Sequence, residues 1–235
     1  MRQYSIDARN IKNPIYPCPI QMGGKNANGQ MLSIGNYYLS LDGKPFFGIC
    51  GEAHFSRINR ELWEDEIIKM KAGGLNMIAT YIFWIHHEEI EGTFDFSGNK
   101  DLRLFLELCK KNHMYVILRI GPFSHGECRN GGFPDWIYGQ PFDIRCDDPS
   151  YLYYTRRFYE QIYQQAKGLL FKDNGPVIGV QLENEHEHAS CPWEMTTENS
   201  KEWVVSGHDG KNHMSTLKKI CLLYTSPSPR DLSTS

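Results

Sequence analysis

The chain has 235 residues, 40% of them hydrophobic and 23% charged, with a formal net charge of −3 from 25 basic and 28 acidic side chains. That length can bury a sizeable core, and a near-even charge balance without a basic block argues against nucleic acid or a membrane surface as partner. No apolar run reaches the length of a bilayer span. The amino-terminal MRQYSIDARNIKNP lacks the apolar region of a secretory signal, and seven scattered cysteines form neither a disulfide framework nor a zinc ribbon.

Residues 1–30, rich in Pro, Gly and Asn, are expected to be an extended or disordered lead-in. MLSIGNYYLSLDGKPFFGICGE reads as β-structure with a turn at Asp42-Gly43. RELWEDEIIKMKAGG is an amphipathic helix stopped by Gly73-Gly74, and LNMIATYIFW is a buried strand. NKDLRLFLELCKKN is the next helix, with Leu102, Phe105, Leu106 and Cys109 at helical spacing. MYVILRIGPF is a further apolar strand, SYLYYTRRFYEQIYQQAKGLL a helix, and GPVIGVQL a fourth strand. KNHMSTLKKI begins another helix. Then CLLYTSPSPRDLSTS turns abruptly to Ser, Pro and Thr.

Alternating helices and near-continuous apolar strands imply a parallel sheet covered by helices. An open doubly wound sheet and a closed (β/α)8 barrel compete. No G-x-G-x-x-G turn follows the first strand, which weakens a dinucleotide fold. Polar residues recur just past the strands instead: Glu52 and His54, Tyr81 and Trp84, His125 and Glu127, Asn184 and Glu185. Barrel enzymes gather their chemistry at that end. The expected fold class is therefore α/β, a partial (β/α)8 TIM barrel of about four βα units over residues 31–220, with residues 221–235 a tail.

The stretch ENEHEH poses the chemical question. Strand alternation places Glu183 and Glu185 on one side and Asn184 on the other. A glutamic acid sheltered at a barrel mouth can have its pKa raised by desolvation or a neighbouring carboxylate. It can then protonate a departing oxygen. Glycoside cleavage needs such an acid with a second carboxylate nearby. A solvated acidic loop is the plainer alternative for these residues alone.

Three stretches in register resemble glycoside hydrolase family 35, the β-galactosidase family. LRIGPFSHGECRNGGFPDWIYGQPFDIRCDDPSYL resembles its R-x-G-P-x-x-x-x-E-x-x-x-G-G-x-P-x-W-L segment, and GPVIGVQLENEHE its Q-x-E-N-E-Y-G segment. GICGEAHFSRINRELW through TYIFWIHHEEIEGTFDFSG resembles its opening S-G-x-x-H-Y-x-R, T-Y-[VI]-x-W-N-x-H-E and G-x-[FY]-D-F. The resemblance runs from about Leu39 to Leu182 and beyond. It implies retaining hydrolysis of terminal β-galactosides without a cofactor, with Glu185 as general acid/base and Asn184 on the sugar 2-hydroxyl. Tyr81 and Glu127 would contact galactose hydroxyls, Ser124 and Gly126 would line the same pocket, and His54 and Arg57 would orient the carboxylates. The family nucleophile is a Glu after the seventh strand, to which no residue here corresponds, so these residues alone are expected to be inactive.

Departures from the family pattern put the exact sugar and linkage in doubt. Cys128 stands where the family has Trp, Ile85 replaces the Asn of W-N-x-H-E, and His186-Glu187 replaces Tyr-Gly. HASCPWEMTTENSKEWVVSGHDG is expected to form an extended loop over the cleft. His186, His188 and Cys191 suit a zinc reading only weakly. CLLYTSPSPRD also resembles a translated sequencing adapter, so the native reading is expected to end near Ile220. Free edges on the first and fourth strands would favour aggregation or oligomers. Relatives of this type are often exported or lysosomal, although no export signal is read here. A catalytically dead carbohydrate-binding barrel and a metal-dependent barrel hydrolase remain the competing functions.

Overall fold

The computed structural model describes residues 14–16, 22–185, 193–195, 203–205 and 216–221. Its centre is a four-stranded parallel sheet in chain order: β5 (Cys50–Glu52), β6 (Met77–Tyr81), β7 (Tyr115–Gly121) and β8 (Val177–Leu182). Helices α1 (Trp63–Ala72), α3 (Leu102–Lys111) and α4 (Pro149–Ala166) form the connections, and a single turn, α2 (Trp84–His87), follows β6. Four strands in sequential order joined by helices are the first units of an α/β barrel, as the alternating pattern predicts.

Local chemistry explains the helix ends. Asp101 caps α3 by accepting from the Leu104 amide at 2.9 Å, and Asp148 caps α4 through the Ser150 and Tyr151 amides ahead of Pro149. Gly73 closes α1, and Gly74 takes φ 93°, where a side chain would be strained. The stripe Leu102, Phe105, Leu106 and Cys109 is buried as its spacing predicts. On β7, Val116, Leu118 and Ile120 point into the helical layer. Tyr115, Ile117 and Arg119 take the opposite face. Aromatic packing ties the layers together: Trp84 stacks on Phe158 at 4.8 Å, and Phe55 on Phe105 at 5.3 Å.

An antiparallel sheet, β1 (Gly23–Lys25), β2 (Met31–Ile34), β3 (Leu39–Leu41) and β4 (Lys44–Phe46), lies under the start of the barrel strands. Phe46 meets Tyr115 edge to face, and Asn28 bonds Asn174 just before β8. The hairpin β3–β4 turns at Asp42-Gly43, both at positive φ, as predicted. At the end of the expected lead-in, residues 23–25 are extended and pair with β2. Within the stretch expected as an extended loop, β9 (Trp193–Met195) and β10 (Trp203–Val205) pair as an antiparallel ladder. Residues 216–221 are helical, with Leu217, Ile220 and Cys221 buried, so Cys221 belongs to that helix. Residues 222–235 lie outside the described residues. Among the described residues no helix is long and apolar enough to cross a membrane.

Candidate active site

Strand register assembles the site. Tyr81 on β6 is paired with Arg119 on β7, and Arg119 with Gln181 on β8, so these three side chains form one row on the barrel-interior face. Glu52, at the end of β5, is paired with Ala79 one layer below. The Arg119 guanidinium carbon lies over the Tyr81 ring, 3.7 Å from its centroid. It donates to Glu52 through Nη1 and to Asn184 Oδ1 through Nη2 at 2.7 Å. The Tyr81 hydroxyl donates to the same Oδ1 at 3.1 Å, and Gln181 Nε2 reaches it at 3.4 Å. Burial raises the Tyr81 pKa against the opposing pull of Arg119, so the phenol keeps the proton it donates.

The network continues outward. Glu52 Oε1 lies 2.8 Å from His54 Nε2, and Arg57 Nη1 lies 3.1 Å from His54 Nδ1. Arginine only donates, so His54 accepts at Nδ1 and carries its proton on Nε2, facing Glu52. Arg57 also donates to the Glu127 carbonyl at 3.3 Å and stacks over Phe83 at 4.5 Å. His54 and Arg57 therefore link the Glu127 loop to the end of β5, in keeping with an orienting part.

Three carboxylates sit on left-handed backbone: Glu127 at φ 48°, Glu183 at 55° and Glu185 at 45°. Each such residue costs on the order of 1 kcal/mol, a strain often found at functional sites. The left-handed steps overturn the expected strand alternation of Glu183 and Glu185. Glu183 turns inward and is 2% exposed, accepting from the Phe123 amide at 3.1 Å and from Arg145 at 3.0 Å. Asn184 is 8% exposed at the centre of the Arg119 network, and Glu185 faces outward and is exposed. The sheltered proton donor expected from sequence is thus an exposed carboxylate among the described residues. Its charge nonetheless reaches Tyr81, whose pKa it helps raise.

Glu127 is likewise exposed. Gly126 is buried beneath it at φ 51°, and a Cβ there would come within 2.8 Å of the Phe83 ring, so glycine lets this loop close onto the Tyr81–Phe83 pair. Ser124, expected to line the pocket, is fully buried, and its Oγ finds no partner among the described residues. The two departures Ile85 and Cys128 line one cavity of about 420 Å³ together with Arg57, His86, Glu127 and Arg129. These two replacements therefore sit beside Glu127.

Sequence reasoning assigned no role to Arg119, although a lone charge inside MYVILRIGPF was a visible signal. The role of Glu88 was also missed. It is fully buried and accepts from Trp84 Nε1 at 2.7 Å, the Gly92 amide at 2.8 Å and Arg157 at 2.9 Å. That makes the last residue of the family's W-N-x-H-E segment a structural clamp. His186, His188 and Cys191, the weak zinc candidates, lie outside the described residues. Among those described, no group of three or more His, Cys, Asp or Glu could hold a metal ion.

Comparison with known proteins places these residues in context. The model of Glycosyl hydrolases family 35 matches residues 38–223, a span that takes in the resemblance noted from sequence. A beta-galactosidase of Xanthomonas manihotis is 37% identical over 169 residues, covering 72% of this chain and 28% of that protein. The beta-galactosidase of Homo sapiens is 39% identical over 167 residues, covering 70% of this chain and 25% of that protein. The chain thus spans about a quarter of the length of these relatives. In fold, it is similar to the exo-beta-1,4-mannosidase Op5Man5 from Opitutaceae bacterium strain TAV5. The TM-score is 0.55 at 13% identity, over 87% of this chain and 32% of that one.

Proposed function

The chain belongs to family 35 of the glycosyl hydrolases, and from that membership we propose that it carries the acid/base half of the catalytic pair of an exo-acting β-galactosidase. The observation that supports this most is the convergence of Tyr81 and Arg119 on Asn184, with Glu185 the next residue along the chain. A sugar seated there has Asn184 at its 2-hydroxyl, with Tyr81 and Glu127 at other hydroxyls. Ser124 and Gly126 shape the wall from behind.

Glu185 protonates the glycosidic oxygen as the bond to the anomeric carbon breaks. A carboxylate from outside these 235 residues attacks that carbon from the opposite face and forms a glycosyl-enzyme. Glu185, now ionised, takes a proton from water as the water displaces the enzyme carboxylate, and the sugar leaves with its configuration retained. Glu185 is exposed among the described residues, so in the longer protein a seated sugar and the rest of the barrel supply the shelter from water that proton transfer to the leaving oxygen uses. The 235 residues alone are accordingly expected to turn over no substrate.

The test is the anomeric form of the first-released galactose, followed by proton NMR during hydrolysis of 4-nitrophenyl β-galactoside by the longer protein. The β-anomer must appear first. Initial release of the α-anomer would exclude double displacement, and preference for another glycoside would exclude galactose.

A further inference from the structure

Asn184 has two chemically opposite ends, and which end meets the ligand decides what it can recognise. Its Oδ1 is surrounded by three donors: Arg119 Nη2 at 2.7 Å, the Tyr81 hydroxyl at 3.1 Å and Gln181 Nε2 at 3.4 Å. Two of these are adaptable. The Tyr81 hydroxyl can rotate and accept, and the Gln181 amide can turn over to present its oxygen. Arg119 cannot, because a guanidinium has no acceptor, so a reversed Asn184 would set two donors against each other in a part-buried site. We propose that Arg119, held in place by Glu52, is the positioning residue that turns the Asn184 amide so that only its Nδ2–H donors face the sugar.

The placement of Arg119 supports this. Its guanidinium sits over the Tyr81 ring and is tethered to Glu52, itself held by His54. Glu52 occupies a position that the S-G-x-x-H pattern leaves open. The Arg119 Nε–H finds no partner among the described residues, whereas Nη1 and Nη2 are committed to Glu52 and Asn184. A cation on Oδ1 also polarises the amide and strengthens Nδ2–H as a donor. The ligand atom opposite Asn184 must then accept, as the oxygen of a sugar hydroxyl does. That last step rests on the glycosidase reading above, whereas the orientation of the amide does not.

The orientation is tested on the 235-residue chain itself by NMR of side-chain amides. The Asn184 Nδ2 proton pair is identified by its disappearance in Asn184→Ser. Two well-separated, slowly exchanging signals are expected, broadened or exchange-accelerated in Arg119→Met and in the milder Glu52→Gln. An unchanged pair in a folded variant of either kind overturns the proposal. In the longer protein, kcat/KM for 4-nitrophenyl β-galactoside should exceed that for its 2-deoxy analogue by about 100-fold. Arg119→Met should shrink that ratio below about tenfold. A merely structural loss lowers both substrates alike, and an undiminished ratio would overturn the proposal. If no β-galactoside is cleaved at all, the glycosidase reading fails while the amide spectrum still decides the part of Arg119.

Discussion

Substituting Glu88→Gln separates a structural carboxylate from a catalytic one. Three N–H donors converge on Glu88, from Trp84, Gly92 and Arg157, and the side chain is fully buried. A carboxylate serves all three. Glutamine keeps the shape but turns one oxygen into a donor. The better of its two orientations leaves oxygen for Gly92 and Arg157 and points NH2 at the Trp84 indole. The indole N–H is then unsatisfied, at a cost of about 1–3 kcal/mol, and Arg157 loses a charged acceptor. Together these give about 3 kcal/mol, and for a domain of this size each 1 kcal/mol moves Tm by about 2–4 °C. A fall of roughly 6–12 °C in a circular-dichroism melt is therefore expected. A shift below about 2 °C would show that the buried network contributes little and that the clamp assignment is wrong.

Two further outcomes follow from buried charge. His87 is fully buried between Phe55 and Phe96, and burial lowers its pKa from 6.5 to about 4. Between those values the unfolded chain binds a proton that the folded one refuses. Stability is therefore full above about pH 6.5 and falls by about 3 kcal/mol as pH drops to 4. Urea midpoints across that range should show the loss, and His87→Phe should remove this part of it; identical pH profiles would contradict the assignment. Glu183→Ala should destabilise by about 3 kcal/mol, because it removes the carboxylate facing the nearly buried Arg145 guanidinium. A loss under about 1 kcal/mol in urea titration would show that the pair is expendable.

Much of the frame was legible because it obeys simple periods. The helical spacing of Leu102, Phe105, Leu106 and Cys109 and the Asp42-Gly43 turn are both realised. The alternation of apolar strands and helices was enough to choose a barrel. Failures concentrate where local rules are broken by backbone strain or by distant partners. Glu183 and Glu185 defeat period-two reasoning because both adopt left-handed backbone just past β8. Residues 23–25, GGK, carry almost no strand propensity and are ordered by pairing with β2. The link from Glu52 through Arg119 to Asn184 joins residues up to 132 positions apart in sequence (184 − 52), and no short window contains it.

In the proposed reaction Glu185 moves the proton. The most direct measurement is kcat/KM for lactose with wild type and Glu185→Gln in the longer protein. An amide cannot protonate the leaving oxygen or deprotonate water, so a loss of about 10²–10⁴-fold is predicted, smaller for 4-nitrophenyl β-galactoside, whose leaving group needs little help. Lactose hydrolysis at the wild-type rate would contradict the assignment outright.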